Sequence, residues 1–370
     1  MQNKSKRTNT MTINSILNFV TAGCILMSAS HAASAPKNKI LRETDKEFFL
    51  TDEARRVGDQ VLLYQRVTGG WAKNIDMAKP LEKHQVDSVI AEKQRRDDST
   101  IDNNATVMQI SYLARLYQAT HDQRYKTAFA DGIGYLLSGQ YDNGGWPQFW
   151  PDPTGYQTHI TFNDYAITNT LNLFHEIIDG KYPYDGNLVD PATTELVRTS
   201  FDKGIECILA TQIVVDGKPT VWCQQHDRDT YEPAGARTYE LPSFCSQESA
   251  AIVKLLMEIP SPDKRIKDAV NGAMEWFDSN KLTGVRLEHR GTRGSDDFDT
   301  FLVEDAEAGP IWARYYDLVN CEPYVCDRDG VPRKNLHEIG RERRNGYSWY
   351  NSYPAELVPQ YKSWLSENSD

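Results

Sequence analysis

The chain has 370 residues, a formal net charge of -11, 39% hydrophobic and 11% aromatic residues. That balance excludes an intrinsically disordered chain and leaves room for a sizeable core. The acidic excess argues against nucleic acid as a partner. An anionic ligand stays compatible wherever a local basic cleft or a bound cation reverses the field.

The first 32 residues read as a secretory signal peptide. Lys4, Lys6 and Arg7 form a positive start, an apolar run spans 13 to 27, and Ser30-His31-Ala32 is the expected cleavage tripeptide. The run is too short and too interrupted to span a membrane. Cys24 ends a "TAGC" stretch, but Thr21 stands where a lipoprotein signal has an aliphatic residue. The mature chain, 33–370, reads as a single domain with a mobile start over 34–39. It is expected to be secreted or periplasmic, to be a monomer, and to have no membrane partner.

From Asp102 onward, helical periodicity dominates. "NATVMQISYLARLYQAT" puts Val107, Ile110, Leu113, Leu116 and Tyr117 on one face. "RYKTAFADGIGYLLSG" follows after a short polar turn, so the two predict an antiparallel helical hairpin. The pattern recurs as "DYAITNTLNLFHEII" with "TELVRTSFDKGIECILATQ", and as "SQESAAIVKLLMEI" with "DKRIKDAVNGAMEWFDSN". The second helices are predicted to start near Arg124, Arg198 and Arg265. "VEDAEAGPIWARYYDLV" is predicted as a helix opening the next unit. Hairpins about 70 residues apart must bury their apolar faces against one another. So few units favour closure toward a ring, with long loops at one end.

That end receives Asp102-Asn103-Asn104, Asn163-Asp164, Ser246-Gln247-Glu248 and Glu304-Asp305. Each group fits helix capping. Each fits equally a set of carboxylates and amides converging from separate repeats. Asp102 and Asp164 suit a hard cation such as Ca2+, or the acid/base pair of a glycosidase. Trp71 and Trp146 sit in matched "GGWAKN" and "GGWPQF" stretches, as plugs that seal a hairpin or as platforms for a sugar ring. Trp150, Trp222 and Tyr231 lie in comparable loops. Lys73 and Asn74 either reach into a cleft or are solvated.

Arg328, Arg333, Arg341, Arg343 and Arg344 concentrate positive charge near the C-terminus. Arginine forks suit carboxylates. Pairing with Asp327, Glu338 and Glu342 is the internal alternative. Arg237 stands alone in "EPAGARTYELPS", with Glu240 as an available partner. Five cysteines follow the signal, at positions matching no zinc site. They are expected to be mainly small buried thiols with one or two bridges, Cys321 and Cys326 being closest in sequence. No HExxH, GxSxG, phosphate loop or dinucleotide fingerprint is present.

"STIDNNATVMQISYLARLY", "YDNGGWPQFWPDPTGYQTHITFNDYAI", "PAGARTYELPSFCSQESA" and "CDRDGV" with "RRNGYSWY" together resemble the family-10 pectate lyases. The likeness runs from about Asp52 to Leu365. It implies a mainly α protein, an incomplete α/α toroid, (α/α)3, of antiparallel helical hairpins with long loops forming a cleft at one end. It also implies a secreted enzyme that cleaves α-1,4-linked polygalacturonate by Ca2+-dependent anti β-elimination. By the resemblance, Arg237 matches the Brønsted base, Asp102 and Asp164 the calcium carboxylates, Asn103 a substrate neighbour and Arg328 a carboxylate-binding residue. Lys73, Trp146 and Arg341 complete the substrate-binding candidates. Two other readings stand beside this one. One is a hydrolase on the same toroid using Asp102 with Asp164 or Glu248. The other is a non-catalytic polyuronate binder in which Arg237 only pairs with a glutamate.

Overall fold

The computed structural model describes residues 38–368; the signal-peptide reading, with Cys24, lies outside them. Ten α-helices carry the fold among the described residues: α1 (Asp52–Tyr64), α2 (Lys83–Glu92), α3 (Val107–Thr120), α4 (Gln123–Ser138), α5 (Ala166–Ile178), α6 (Pro191–Thr211), α7 (Ser246–Met257), α8 (Lys264–Ser279), α9 (Arg341–Asn345) and α10 (Tyr353–Glu367). The three predicted hairpins are α3 with α4, α5 with α6 and α7 with α8. One layer runs α3, α5, α7, α10, each packed on the next; the other runs α1, α4, α6, α8. The result is a mainly α, incomplete toroid, as the resemblance implies.

Local chemistry sets the helix starts. Asp122, Asp190 and Asp263 cap α4, α6 and α8, each accepting from a backbone N–H of the first turn. Pro191 opens α6 where a missing N–H is harmless. The second hairpin's outer helix therefore begins seven residues before Arg198. All five apolar positions predicted for one face of α3 are buried.

A tryptophan repeat holds the loops to the helices. The indole N–H of Trp71 donates to Val61 O in α1 at 2.9 Å, and that of Trp146 to Leu136 O in α4 at 2.7 Å. Trp222 repeats the bond to Ile208 O in α6, and Trp312 to Phe277 O in α8. Each of the four rings is buried and each polar atom is satisfied. Gly69 and Gly144 precede two of these rings at φ of +89° and +88°. A Cβ on Gly144 would sit 2.0 Å from Lys203 O, so the loop approaches α6 as only glycine permits.

Four expectations need correction. "VEDAEAGPIWARYYDLV" is not a helix. Strand Asp299–Glu304 pairs antiparallel with Val285–Arg290, and the strands Trp312–Ala313 and Tyr315–Tyr316 follow. Gly309-Pro310 breaks any helix there, and Thr300 and Val303 favour the pleat. Glu304-Asp305 thus ends a hairpin, and the fourth turn before an inner helix is Asn351-Ser352 ahead of α10. The five described cysteines are all free thiols, including Cys321 and Cys326. Burial pushes the Cys207 thiol up to about 12. Finally, Asn38 is not mobile: its side chain donates to Ile75 O at 2.6 Å and accepts from Met77 N at 2.7 Å. No helix among the described residues is long and apolar enough to cross a membrane.

Candidate active site

Two tight turns build the centre of the site. Asp102–Asn104 and Asn163–Tyr165 are 3-10 turns that pack against each other, just before α3 and α5. Each contains left-handed residues: Asn103 at φ +52° and Asn104 at +61°, Asp164 at +49° and Tyr165 at +65°. Such backbone is costly for non-glycine residues and concentrates at functional sites. Neither carboxylate caps its helix. The capping explanation for these two residues therefore fails.

Asp102 is buried, and its Oδ2 accepts from Gln148 Nε2 at 2.8 Å and pairs with Lys73 Nζ. Its Oδ1 is buried without a hydrogen-bond partner. Asp164 is a third exposed and faces the buried Arg314 guanidinium at 3.5 Å. Partial burial raises its carboxyl above the ordinary range; Arg314 opposes this, while the negative charges of Asp102 and Glu248 add to it. Two carboxylates crowded in this way, one with an unused oxygen, suit a hard cation. No cluster of three or more carboxylate, imidazole or thiol groups placed to hold a metal occurs among the described residues. A Ca2+ here, with its six to eight oxygens, would draw the remaining ligands from water or substrate.

Asn103 stands exposed beside Asp102 and donates to Asn74 Oδ1 at 3.4 Å. Lys73 lies 5.3 Å from the centre of the Phe149 ring, with its charge on Asp102. Arg237 borders the same space, close enough for its charge to bear on Asp164. Its Nε donates to Glu240 Oε2 at 2.7 Å, its Nη2 pairs with Oε1, and its backbone N–H meets Oε2 at 3.1 Å. Burial lowers the guanidinium's proton affinity, but Glu240 more than offsets this and the group stays well above its ordinary value. Arg328 is the next cation along: its backbone carbonyl accepts from Thr238, its side chain is 64% exposed, and it forks to Glu342 at 3.1 Å.

Two substrate-binding candidates have other bonds in this structure. Trp146 is 1% exposed and seals its hairpin, so its face is not open to a sugar. Arg341 gives Nε and Nη2 to Phe298 O at 3.0 and 2.8 Å, tying α9 to the loop that joins the two long paired strands. The other C-terminal arginines pair internally, Arg333 with Asp329, Arg343 with Glu342 and Arg344 with Asp299. Glu248, a candidate hydrolytic carboxylate, is buried against Arg314 and accepts from Cys245 Sγ.

Arg314 and Gln148 escaped the sequence reading, and the tryptophan repeat was the signal that could have found them. The residue two places after each stapled tryptophan is Lys73, Gln148, Gln224 and Arg314. Lys73 and Gln148 hold Asp102, and Arg314 holds Asn163 at 2.9 Å, Asp164 and Glu248. The backbone carbonyl of Gln224 accepts from Phe162 and Asn163 at 2.9 Å, fixing the second turn.

The sequence profile of the pectic acid lyase family matches residues 65–358. The chain belongs to the pectate lyase family. Among solved structures it is similar to a family 10 polysaccharide lyase from Cellvibrio cellulosa. A mutant of that enzyme in complex with trigalacturonic acid matches at 29% identity and a TM-score of 0.74, over 86% of this chain and 96% of that one. A second structure, of the family 10 polysaccharide lyase from the same organism, matches at 29% identity and a TM-score of 0.73, over 86% and 94%. A search of curated proteins finds no match. The family profile and the similar structures agree on a pectate lyase with a mainly α toroid.

Proposed function

We propose that this pectate lyase is a secreted, single-domain enzyme that cleaves polygalacturonate by Ca2+-dependent anti β-elimination, with Arg237 as the Brønsted base. The observation that carries the reading is the packing of the Asp102 and Asp164 turns against each other, with one Asp102 oxygen buried and unused and the Arg237 charge bearing on Asp164. The complex of the similar Cellvibrio lyase with trigalacturonic acid supports the substrate class.

Elimination removes the C5 proton, which lies α to a uronate carboxylate. Asp102 and Asp164 would hold Ca2+. Bound there, the ion supplies Lewis-acid stabilisation of the charge that develops on the carboxylate. Arg328 and Lys73 offer cations to neighbouring uronates, and exposed Asn103 offers an amide beside Asp102. Arg237 takes the C5 proton, and the glycosidic oxygen departs from C4. No water adds across the broken bond, so no second carboxylate is needed to activate one as a nucleophile. Arginine ordinarily stays protonated. Water excluded by a bound polymer acts against the charged form, in the direction burial already acts on Arg237. An alkaline rate optimum follows.

The test is Arg237→Ala, assayed on polygalacturonate with oligogalacturonate binding measured separately. Turnover should fall ~10²–10⁴-fold, the usual contribution of a general base, with binding largely retained. Activity surviving in that variant would remove Arg237 from the role.

A further inference from the structure

We propose that Glu240 is the positioning residue of the base: its fork on Nε and Nη2 leaves Nη1 of Arg237 as the nitrogen that takes the C5 proton. The proposal rests on the assignment of Arg237 given above. Nε and Nη2 both donate to Glu240, and the described hydrogen bonds leave Nη1 unclaimed. The backbone N–H of Arg237 holds the same carboxylate, and Tyr347 Oη donates to Glu240 Oε1 at 2.7 Å. Tyr347 is itself fixed by Tyr315 Oη at 2.5 Å. Glu240 is 1% exposed while the Arg237 side chain is 43% exposed. The carboxylate is therefore the rigid member of the pair and the guanidinium the member that faces the cleft.

The fork also selects a tautomer. A guanidine that loses a proton from Nη1 keeps its Nε–H and Nη2–H donors, so the bonds to Glu240 survive. Loss of the Nε proton, or of the Nη2 proton that points at Oε1, would set a lone pair against a carboxylate oxygen. The second Nη2 proton lies outside the fork, on a nitrogen already held by Glu240, whereas Nη1 is held by nothing among the described residues. This is how a buried carboxylate orients the histidine of a catalytic triad. In the step itself the C5–H bond breaks and its proton goes to Nη1. The electron pair becomes the C4=C5 double bond. The C4–O bond breaks with its pair on the glycosidic oxygen, which takes a proton from water. Arg237 afterwards returns its proton to solvent.

Several other charges and titratable groups face the guanidinium. Tyr239 and Tyr347 present their rings at 4.9 and 5.7 Å, with Arg343 behind both, and Arg328 and Asp164 act from farther off. Burial keeps Tyr347 un-ionised well beyond the ordinary tyrosine range, although Arg314 opposes it. Glu240 is thus the one anion that touches Arg237 directly among the described residues.

Two substitutions separate charge from shape. In E240Q the anion is lost, so the rising limb of the kcat–pH profile should move down by about one to three pH units, the scale of one adjacent opposite charge. In E240D the charge remains, so the limb should stay while kcat falls from the shortened reach. A profile unmoved in E240Q, in protein that unfolds at the wild-type temperature, would overturn the proposal while leaving Arg237 standing. Activity in Arg237→Ala would instead sink the underlying assignment. The unsubstituted enzyme provides a further readout. With 15N-arginine labelling, Nη1 and Nη2 of Arg237 should give separate resonances because the fork stops rotation. One averaged resonance would contradict the fork.

Discussion

Arg237 and Glu240 form a three-bond contact in which a buried carboxylate holds an exposed base candidate. Arg237, Asp102, Asp164 and Asn103 were picked out in the sequence through the family resemblance, and the structure sets the turns that carry Asp102 and Asp164 against each other. Trp146 was left open in the sequence between a plug and a sugar platform, and Arg341 between a carboxylate fork and an internal partner; both have N–H groups bonded inside the protein. Sequence shows that a tryptophan or an arginine lies in a loop, but not whether its hydrogen bonds are already spent inside the protein. Another residue-scale consequence concerns His226. Burial pushes this imidazole down to about 4 from the ordinary 6.5. Its Nε2 accepts from Cys223 N at 3.0 Å and its Nδ1–H donates to Tyr231 O at 2.8 Å, so the neutral ring is the one that fits. Between those two pH values the unfolded chain takes up a proton that the folded chain refuses. Stability should therefore fall as pH drops from 6.5 toward 4, by about 3 kcal/mol from this group, with no further loss below 4. Urea midpoints across that range should lose less in His226→Gln than in the wild type. Equal losses would show that His226 titrates normally.

At the scale of elements, three helical hairpins could be read from apolar periodicity, whereas the aspartates that cap their second helices, Asp122, Asp190 and Asp263, were not singled out there. The C-terminal strands could not be read that way. Apolar and aromatic residues of "IWARYYDLV" fit a helix until Gly309-Pro310 and the partner strands are taken into account. The stapled tryptophans were half-visible, since only two of the four follow a Gly-Gly pair. Those glycines offer a test of the close approach. Gly144→Ala places a methyl against Lys203 O at positive φ, and should cost about 2–5 kcal/mol from backbone strain plus overpacking. Gly186 has φ of +69° with nothing within 4 Å of its would-be Cβ, so Gly186→Ala should cost only about 1 kcal/mol. Thermal unfolding of the pair checks this. Equal costs would mean that the packing of the Trp146 loop on α6 contributes little.

At the scale of the whole molecule, an open ring brings turns from separate repeats to one end. Asp102 comes from before α3, Asp164 from before α5, Arg237 from before α7 and Arg314 from before α10. Closure toward a ring was legible because repeated hairpins must bury their faces on one another; the incomplete α/α toroid came from the family resemblance. The cleft's electrostatics were not legible, since Arg314 and Glu248 lie 66 residues apart and meet only in the folded ring. The chain carries a net charge of -11, yet its proposed substrate is a polyanion. Under that proposal, local cations and a bound divalent ion would reverse the field at the site. The most direct measurement is ultraviolet absorbance of the unsaturated uronide released from polygalacturonate, followed with Ca2+ and then with excess chelator. Absorbance should rise with Ca2+, stop on chelation and resume when Ca2+ is restored. Reducing ends formed without that absorbance, or a rise indifferent to the chelator, would contradict Ca2+-dependent elimination.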